Sequence, residues 1–227
     1  MVGSVEGAWR GQAIACRSMT QLPDVPLFPL QLVMLPSELV PLHIFEPRYR
    51  DMIAFCVDHE APFCIVMVDE AGMREVGCLT ESIEVLERLE DGRINLVATG
   101  GEIVRINRVD ADRHTYLSAD VTVQVDDPDA SPEPEAVETA LESYRALLRD
   151  ADAPADESLA AAERLSYELA ARVEFSLELK QGLLESRAEA ERLERVTAAI
   201  EEGRRGLRQA AERSRRASTN GKVSHED

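Results

Sequence analysis

The sequence predicts an α+β protein in which a closed or nearly closed β-barrel with one inserted helix is followed by a helical bundle. Short apolar runs separated by turn residues fill the stretch from residue 22 to residue 125. Within it, one segment, residues 47–58, has apolar residues at helical spacing. Beyond a linker rich in Pro and Asp, the apolar residues recur at helical spacing. Closure of the strands is expected because it removes the exposed edges that would otherwise pair with other chains.

The opening stretch, residues 22–55, predicts strand, turn, strand and helix in that order. Each proline in it biases the preceding residue toward extended backbone, so short strands broken by fixed turns are expected. These prolines are Pro23, Pro26, Pro29, Pro36 and Pro41. The helix opens at Pro47, where no N–H is needed, and Glu46 is expected to cap it because its negative charge lies at the positive end of the helix dipole.

The strands after this helix bring the expected total to about six. The continuous apolar run at residues 63–68 is typical of a strand buried on both faces. Residues 83–98 predict a hairpin in which Gly92 supplies the positive φ that a tight turn requires. We expect Gly100-Gly101 to break the strand that follows this turn.

The second half of the chain predicts a bundle, because no single amphipathic helical face can be buried alone. The apolar faces that predict helices lie at residues 137–148, 159–173, 177–184 and 193–207. The expected organisation is a flexible leader at 1–20, a β-barrel subdomain at 21–127, a helical bundle subdomain at 133–212 and a disordered tail at 213–227.

Composition disfavours nucleic acid and membranes as partners. The chain has 227 residues and a formal net charge of −18, which would repel phosphate groups and an anionic membrane surface. No apolar run approaches the roughly 20 residues of a membrane-spanning helix. The cysteines have no C-x-x-C spacing and are interpreted as small core residues, which favours a cytoplasmic location. They are Cys16, Cys56, Cys64 and Cys78.

Two sequence segments resemble a known protein family. PLFPLQLVMLPSELVPLHIFEPRYRDMI, residues 26–53, is similar to the opening of the Lon N-terminal domain, the substrate-binding module of ATP-dependent Lon proteases. SLELKQGLLESRAEAERLERVTAAIEE, residues 176–202, is similar to the helical half of that domain. The resemblance implies a PUA-like pseudo-barrel followed by helices, and a stand-alone form that lacks the ATPase and peptidase domains.

No motif in the chain predicts enzyme chemistry. ATP hydrolysis requires a glycine-rich loop ending in Gly-Lys-Ser/Thr, whereas Gly221-Lys222 is followed by Val223. The histidines are scattered without metal-ligand spacing, so neither a catalytic residue, nor a cofactor, nor a metal is expected. His43 is interpreted as a structural residue whose ring bonds to backbone at the strand-to-helix corner.

A binding surface remains as the functional hypothesis. The predicted peptide-binding residues are Phe28, Met34, Phe45, Arg48, Tyr49 and Arg50. The aromatic and Met side chains offer apolar area, and the arginines offer forked donors to a peptide carbonyl or carboxylate. In the competing interpretation, the apolar members fill the core and the arginines fasten the helix to the barrel.

The resemblance implies a non-enzymatic module that binds hydrophobic or unfolded protein segments. We expect the segment to lie in a groove between barrel and bundle, with strand-edge backbone giving affinity. A role as an adaptor for a protease or chaperone is an additional hypothesis. Two alternatives stay open at this point: a PUA-like nucleic-acid-binding protein, and a structural protein that self-associates through its last helices.

Overall fold

A computed structural model describes residues 20–156, 158–162 and 164–220, with the side chains of 160, 161 and 214–220 outside that description. The contacts divide the chain into two compact units. The first unit comprises the chain up to Asp127 together with Ala170–Arg187, and the second comprises Pro128–Leu169 and the chain from Ala188 onward. The expected leader, except Thr20, lies outside the described residues, as do Cys16 and the end of the expected tail.

The first unit is built on one large sheet. Its strands are β1 (Gln21–Leu30), β2 (Leu39–Ile44), β3 (Cys64–Asp69), β4 (Gly72–Met73), β5 (Val76–Arg88), β6 (Ile94–Asp110) and β7 (Ser118–Val123). The pairing order is β1-β7-β6-β5-β3-β4, with β2 paired to β6 and β1 paired in parallel to β3. The other pairings are antiparallel. Helix α1 (Pro47–His59) lies between β2 and β3 in the chain, which confirms an α+β protein.

The expected break at Gly100-Gly101 is wrong, because β6 continues through both glycines. Gly100 instead allows the loop before β2 to cross the strand closely. A Cβ atom on Gly100 would lie 1.9 Å from the carbonyl oxygen of Leu35. In addition, Gly100 N–H donates to the carbonyl of Glu38 at 2.9 Å. The glycine is thus required for close packing rather than for a turn.

The predicted hairpin is confirmed and is tied to α1. Gly92 has φ +83°, as the turn between β5 and β6 requires. Arg50 Nη1 donates to the carbonyl oxygen of Asp91 at 3.0 Å, so the helix is fastened to the hairpin turn. Arg50 therefore has the structural contact that the competing interpretation assigned to it.

The core of the first unit is aliphatic, with thiols among its packed side chains. One cluster contains Val25, Leu27, Cys64, Leu79, Val104, Ala119 and Val121. Cys56, Cys64 and Cys78 are buried and form no disulfide, which confirms their interpretation as core residues. Burial raises the pKa of the Cys56 thiol to about 12, so this thiol stays protonated at neutral pH.

Helix α4 (Leu177–Glu185), which was expected in the bundle, packs with the sheet. Lys180 forms a mostly buried ion pair with Glu38, and Glu38 also accepts from Leu35 N–H at 2.9 Å. Gln181 Nε2 donates to the carbonyl oxygen of Val76 in β5 at 3.2 Å. Two adjacent polar residues thus anchor the helix to the first unit, which is why spacing alone misplaced it.

The second unit is helical. Its helices are α2 (Pro134–Asp150), α3 (Leu165–Ala170) and α5 (Glu189–Asn220). Asp150, the last residue of α2, bonds to Arg204 and Arg208, while the start of α2 lies beside Leu193, so α2 and α5 run in the same direction. Helix α5 continues to Asn220, past the point where the tail was expected to begin.

A buried polar network joins α3 to α5. Arg192 is fully buried and donates to Glu189 at 2.6 Å and to the Ser166 hydroxyl at 3.1 Å. Ser166 N–H donates to Glu189 at 2.8 Å. The guanidinium also lies 4.4 Å from the ring centroid of Tyr167. The charge is therefore both paired and hydrogen-bonded, as a buried charge requires.

Candidate functional site

Strand β2 exposes one side to solvent and buries the other. Val40 and Ile44 are buried, whereas Leu39 is 67% exposed and Phe45, which follows the strand, is 61% exposed. Because successive side chains of a strand point to opposite faces, Leu39, Pro41, His43 and Phe45 share the outer face. Exposed apolar side chains that share one face can form the kind of patch that marks an interaction surface.

The same surface continues onto β6 and β5. The rows of neighbouring residues are Leu39–Thr99–Ser82, Pro41–Val97–Glu84 and His43–Asn95–Glu87. Leu86, at the register shift beside Glu87, is 60% exposed. Strands lie about 4.8 Å apart, so this surface is roughly 10 Å across. We call it the β2 face, defined by the exposed residues Leu39, Phe45 and Leu86.

A chain of polar side chains crosses the β2 face. His43 Nδ1 lies 2.6 Å from Asn95 Oδ1, and Asn95 Nδ2 donates to Glu87 at 3.0 Å. The ring of Phe45 stacks with that of His43, with centroids 6.1 Å apart. The expectation that His43 bonds to backbone is therefore wrong: its partner is the side chain directly across the β2–β6 ladder.

One edge of β2 is unpaired within the part of the chain that the structure describes. The strand pairs with β6 alone. Because Gly100 N–H donates to Glu38, the ladder alternation directs the main-chain groups of Val40, Leu42 and Ile44 toward β6. Those of Leu39, Pro41 and His43 face away, and Pro41 has no N–H to leave unsatisfied. Such an edge can accept an additional extended strand.

Three of the predicted peptide-binding residues are buried. Phe28, Met34 and Tyr49 are at most 6% exposed. Phe28 packs against Tyr49 with ring centroids 4.4 Å apart and against Phe63 at 6.0 Å. Burial raises the pKa of the Tyr49 phenol. These side chains offer no area to a partner in this conformation, so any role in binding would be indirect and remains a prediction.

Of the other predicted residues, Phe45 and Arg48 are exposed at the end of β2. The Arg48 Nη2 atom lies 2.8 Å from Glu46 Oε2, and the guanidinium lies 4.5 Å from the Tyr49 ring centroid. Glu46 is the N-cap residue of α1, as expected, but its side chain makes no capping hydrogen bond. Its carboxylate is held by Arg48 instead. Arg48 is thus paired but still half-exposed, whereas Arg50 is engaged by the hairpin turn.

Sequence reasoning missed Leu39 and Leu86. In the run Leu39–Ile44, apolar residues occupy both faces of the strand. The alternation of apolar and polar residues therefore does not indicate which face is exposed to solvent. Leu86 is exposed with Ser82 and Glu84 on the outer face of β5, although its apolar character alone would suggest burial. The free edge of β2 was the only available signal, and it required knowledge of the strand order.

A cleft of about 410 Å³ borders the β2 face. It lies between the end of α1 and the middle of β5, and is lined by Cys56, Val57, Glu60, Ala61, Pro62, Thr80, Glu81, Ser82 and Ile83. Ser82 bonds to Thr99 through their hydroxyls at 2.8 Å, which joins the cleft to the row that contains Leu39. The cleft is large enough to receive one side chain of a bound segment.

Over the described residues, no group of three or more His, Cys, Asp or Glu side chains is placed to hold a metal ion. In the same part of the chain, no helix combines the length and apolar character that crossing a membrane requires.

The sheet, the inserted helix and the exposed β2 face belong to an α+β protein with a large, mostly antiparallel sheet and a helical second unit. The family model described as the ATP-dependent protease La (Lon) substrate-binding domain matches residues 24–202. The chain therefore belongs to the Lon substrate-binding domain family, which confirms the resemblance carried by the two phrases.

Solved structures agree. A Lon N-terminal domain protein from Xanthomonas campestris has 25% identity and a TM-score of 0.61, over 78% of this chain and 98% of that one. The N-terminal domain of a Mycobacterium avium complex Lon protease has 19% identity and a TM-score of 0.57, over the same shares of the two chains. The second likeness is evidence for the fold alone.

Proposed function

We propose that this chain is a non-enzymatic substrate-binding module that captures extended hydrophobic segments of unfolded proteins on the β2 face. Membership of the Lon substrate-binding domain family supports a substrate-binding role. The observation that carries the finer proposal is the exposure of Leu39 and Phe45 along a strand with one unpaired edge.

An extended segment matches the chemistry of this surface. Its backbone would pair with the outer N–H and C=O groups of Leu39 and His43, which supplies affinity independent of sequence. Its alternate side chains would then lie over Leu39 and Phe45, so residues at every second position would select for apolar character. Burying one large apolar side chain stabilises a complex by about 1.5–3 kcal/mol, or roughly tenfold or more in Kd.

The two alternatives gain no support. We propose that the sheet is a PUA-like pseudo-barrel, because its pairing returns from β3 to β1. Fold analogy does not carry function, however, and a net charge of −18 opposes binding of nucleic acid. Self-association as the main role is not favoured by membership of a substrate-binding family.

The compartment and the cellular role of the module can also be proposed. We propose that it acts in the cytoplasm as an adaptor that presents bound segments to a protease or chaperone, without catalysis of its own. The three buried cysteines outside any disulfide are consistent with a reducing compartment. An adaptor should accelerate degradation of an unfolded client by a purified Lon protease, and an unchanged rate would remove this part of the proposal.

The binding proposal is tested by fluorescence anisotropy with two labelled peptides of equal length and charge. One alternates Leu or Val with Ser, and the other replaces each apolar residue with Ser. We expect the full chain to bind the apolar peptide at least about tenfold more tightly, and Leu39→Ser and Phe45→Ser each to weaken that binding about tenfold.

The matched control is Leu207→Ser, which removes an exposed leucine from α5 in the other unit. It should leave the affinity unchanged. Equal affinity for the two peptides would contradict the proposal. So would a Leu207→Ser loss as large as that of Phe45→Ser, since binding would then follow total exposed apolar area rather than the β2 face.

A further inference from the structure

The second unit contains a groove of about 520 Å³ between α2 and α5. It extends along α2 from Glu133 to Thr139 and along α5 from Leu193 to Glu201. With a rise of 1.5 Å per residue, these stretches correspond to roughly 9 Å and 12 Å of helix. The groove is therefore long enough for about two turns of a third helix.

The floor of the groove is largely apolar, and the O–H donors of its two threonines are already used. Thr139 Oγ1 donates to the carbonyl of Glu135 at 2.8 Å, and Thr197 Oγ1 donates to that of Leu193 at 2.7 Å. Each hydroxyl is satisfied by its own helix. Ala136 and Ala198 line the groove between them, and such short side chains allow a helix axis to approach within about 8–10 Å.

The rim of the groove is acidic. Glu133, Glu135 and Glu194 line it, and none of them has an ion-pair partner among the described residues. Glu201 at the far end is held by Arg204 at 2.5 Å. These unpaired carboxylates contribute to the chain's net charge of −18. A cationic occupant would therefore relieve repulsion that the free protein retains.

We propose that the α2–α5 groove binds an amphipathic helix of a partner protein, with an apolar stripe on the floor and Lys or Arg residues along the acidic rim. Charge complementarity selects the basic residues. The largely apolar floor favours a helix, because it offers few partners to the N–H and C=O groups of an extended backbone, whereas a helix satisfies those groups internally. This site lies within the second unit and does not depend on the β2 face.

The probe for the test is a labelled peptide of about 14 residues, roughly four helical turns, with Leu at helical spacing and Lys and Ala elsewhere. A peptide of the same composition with the Leu positions scrambled carries the same charge but no stripe. Anisotropy with the full chain near 0.15 M salt should give at least about tenfold tighter binding of the striped peptide. Equal binding of both peptides would overturn the proposal in favour of nonspecific charge attraction.

Variants of the groove locate the binding. Glu135→Lys/Glu194→Lys reverses the rim, and Ala198→Trp fills the floor from an exposed position on α5, where the fold should tolerate it. Each should weaken binding of the striped peptide about tenfold or more, while circular dichroism stays unchanged. Glu202→Lys, an exposed α5 residue that does not line the groove, is the matched control and should reduce binding less than twofold.

Nuclear magnetic resonance of the complex gives an independent measurement. The striped peptide should shift the amide signals of Ala136, Thr139, Thr197 and Ala198. Shifts confined to the β2 face, or an Ala198→Trp variant that binds as tightly as the parent, would overturn the proposal. Neither result would affect the proposed capture of extended segments on the β2 face, which is read with different peptides and variants.

Discussion

The polar network around Arg192 and the β2 face reverse the usual distribution of residue types. In the network, an arginine and a glutamate are buried and bonded to each other. On the β2 face, a leucine and a phenylalanine are exposed. A buried charge is tolerated because every partner is in place, whereas an exposed aromatic gains nothing for the fold. Substitutions should therefore cost stability at the first site and binding at the second.

The largest expected effect is at Arg192. Arg192→Ala would leave the buried Glu189 carboxylate without its counter-charge, although Ser166 would still donate to it, and should lower the free energy of unfolding by about 3–5 kcal/mol. Arg192→Lys keeps the charge but loses the forked donors of the guanidinium, so its stability should lie between those of the parent and of Arg192→Ala. Urea denaturation followed by circular dichroism measures both. A loss below about 1 kcal/mol for Arg192→Ala would show that this network does not support the fold.

A smaller effect is expected at Gly100, which contacts the loop before β2. An added Cβ would collide with Leu35 at 1.9 Å, so Gly100→Ala should shift the loop before β2 and cost about 2 kcal/mol or more. Gly203→Ala is the matched control, because its Cβ would meet nothing within 4 Å in an exposed helix. It should stabilise α5 by about 0.5–1 kcal/mol. Equal effects of the two changes would contradict the close crossing at Gly100.

Gly100 and helix α4 show what the spacing of residues in the sequence can and cannot predict. The hairpin turn at Gly92 and the helix at Pro47 were predicted because their signals are local. Gly100 was misjudged because its requirement comes from Leu35, more than sixty residues earlier in the chain. Lys180 and Gln181 were assigned to the bundle because helical spacing identifies a helix without identifying its neighbours.

The site was less predictable than the fold. Phe28 and Tyr49 were as plausible as Phe45 for binding because aromatic residues next to prolines look alike in sequence. Only the structure separates them, since Phe45 is exposed after β2, whereas Phe28 in β1 and Tyr49 in α1 pack against each other. Leu39 was overlooked for the same reason. Residue type predicted the kind of surface, and strand order was needed to find it.

Asp24 offers a test that depends on pH. It sits in β1 at φ +56° and accepts hydrogen bonds from Ser118 at 2.7 Å and His114 at 3.0 Å. Burial alone would raise the pKa of this carboxyl, but the bonds from Ser118 and His114 outweigh it and lower the pKa. A lowered folded-state pKa contributes stability that is present above the unfolded value of about 3.9 and is lost as pH falls through the folded value.

Asp24→Asn should therefore be less stable than the parent at neutral pH, and the gap should narrow as pH falls below about 4. Asparagine tolerates the left-handed backbone, so the difference reports the lost charge rather than strain. Asp112→Asn, a neighbouring exposed residue, is the control and should run parallel to the parent curve. A constant gap between the Asp24→Asn and parent curves from pH 7 to pH 3 would contradict the argument.

The smallest effect on stability is expected on the β2 face. This small effect is what distinguishes the β2 face from the buried network around Arg192. Leu39→Ser and Phe45→Ser should change the free energy of unfolding by less than about 0.5 kcal/mol, because both side chains are already in water. Phe28→Ala, in the buried ring cluster, should cost about 3–5 kcal/mol. If Phe45→Ser destabilised the protein as much as Phe28→Ala, lost peptide binding would merely report unfolding. If it leaves stability intact and still weakens binding, exposure of Phe45 is retained for the ligand, since the fold has no use for it.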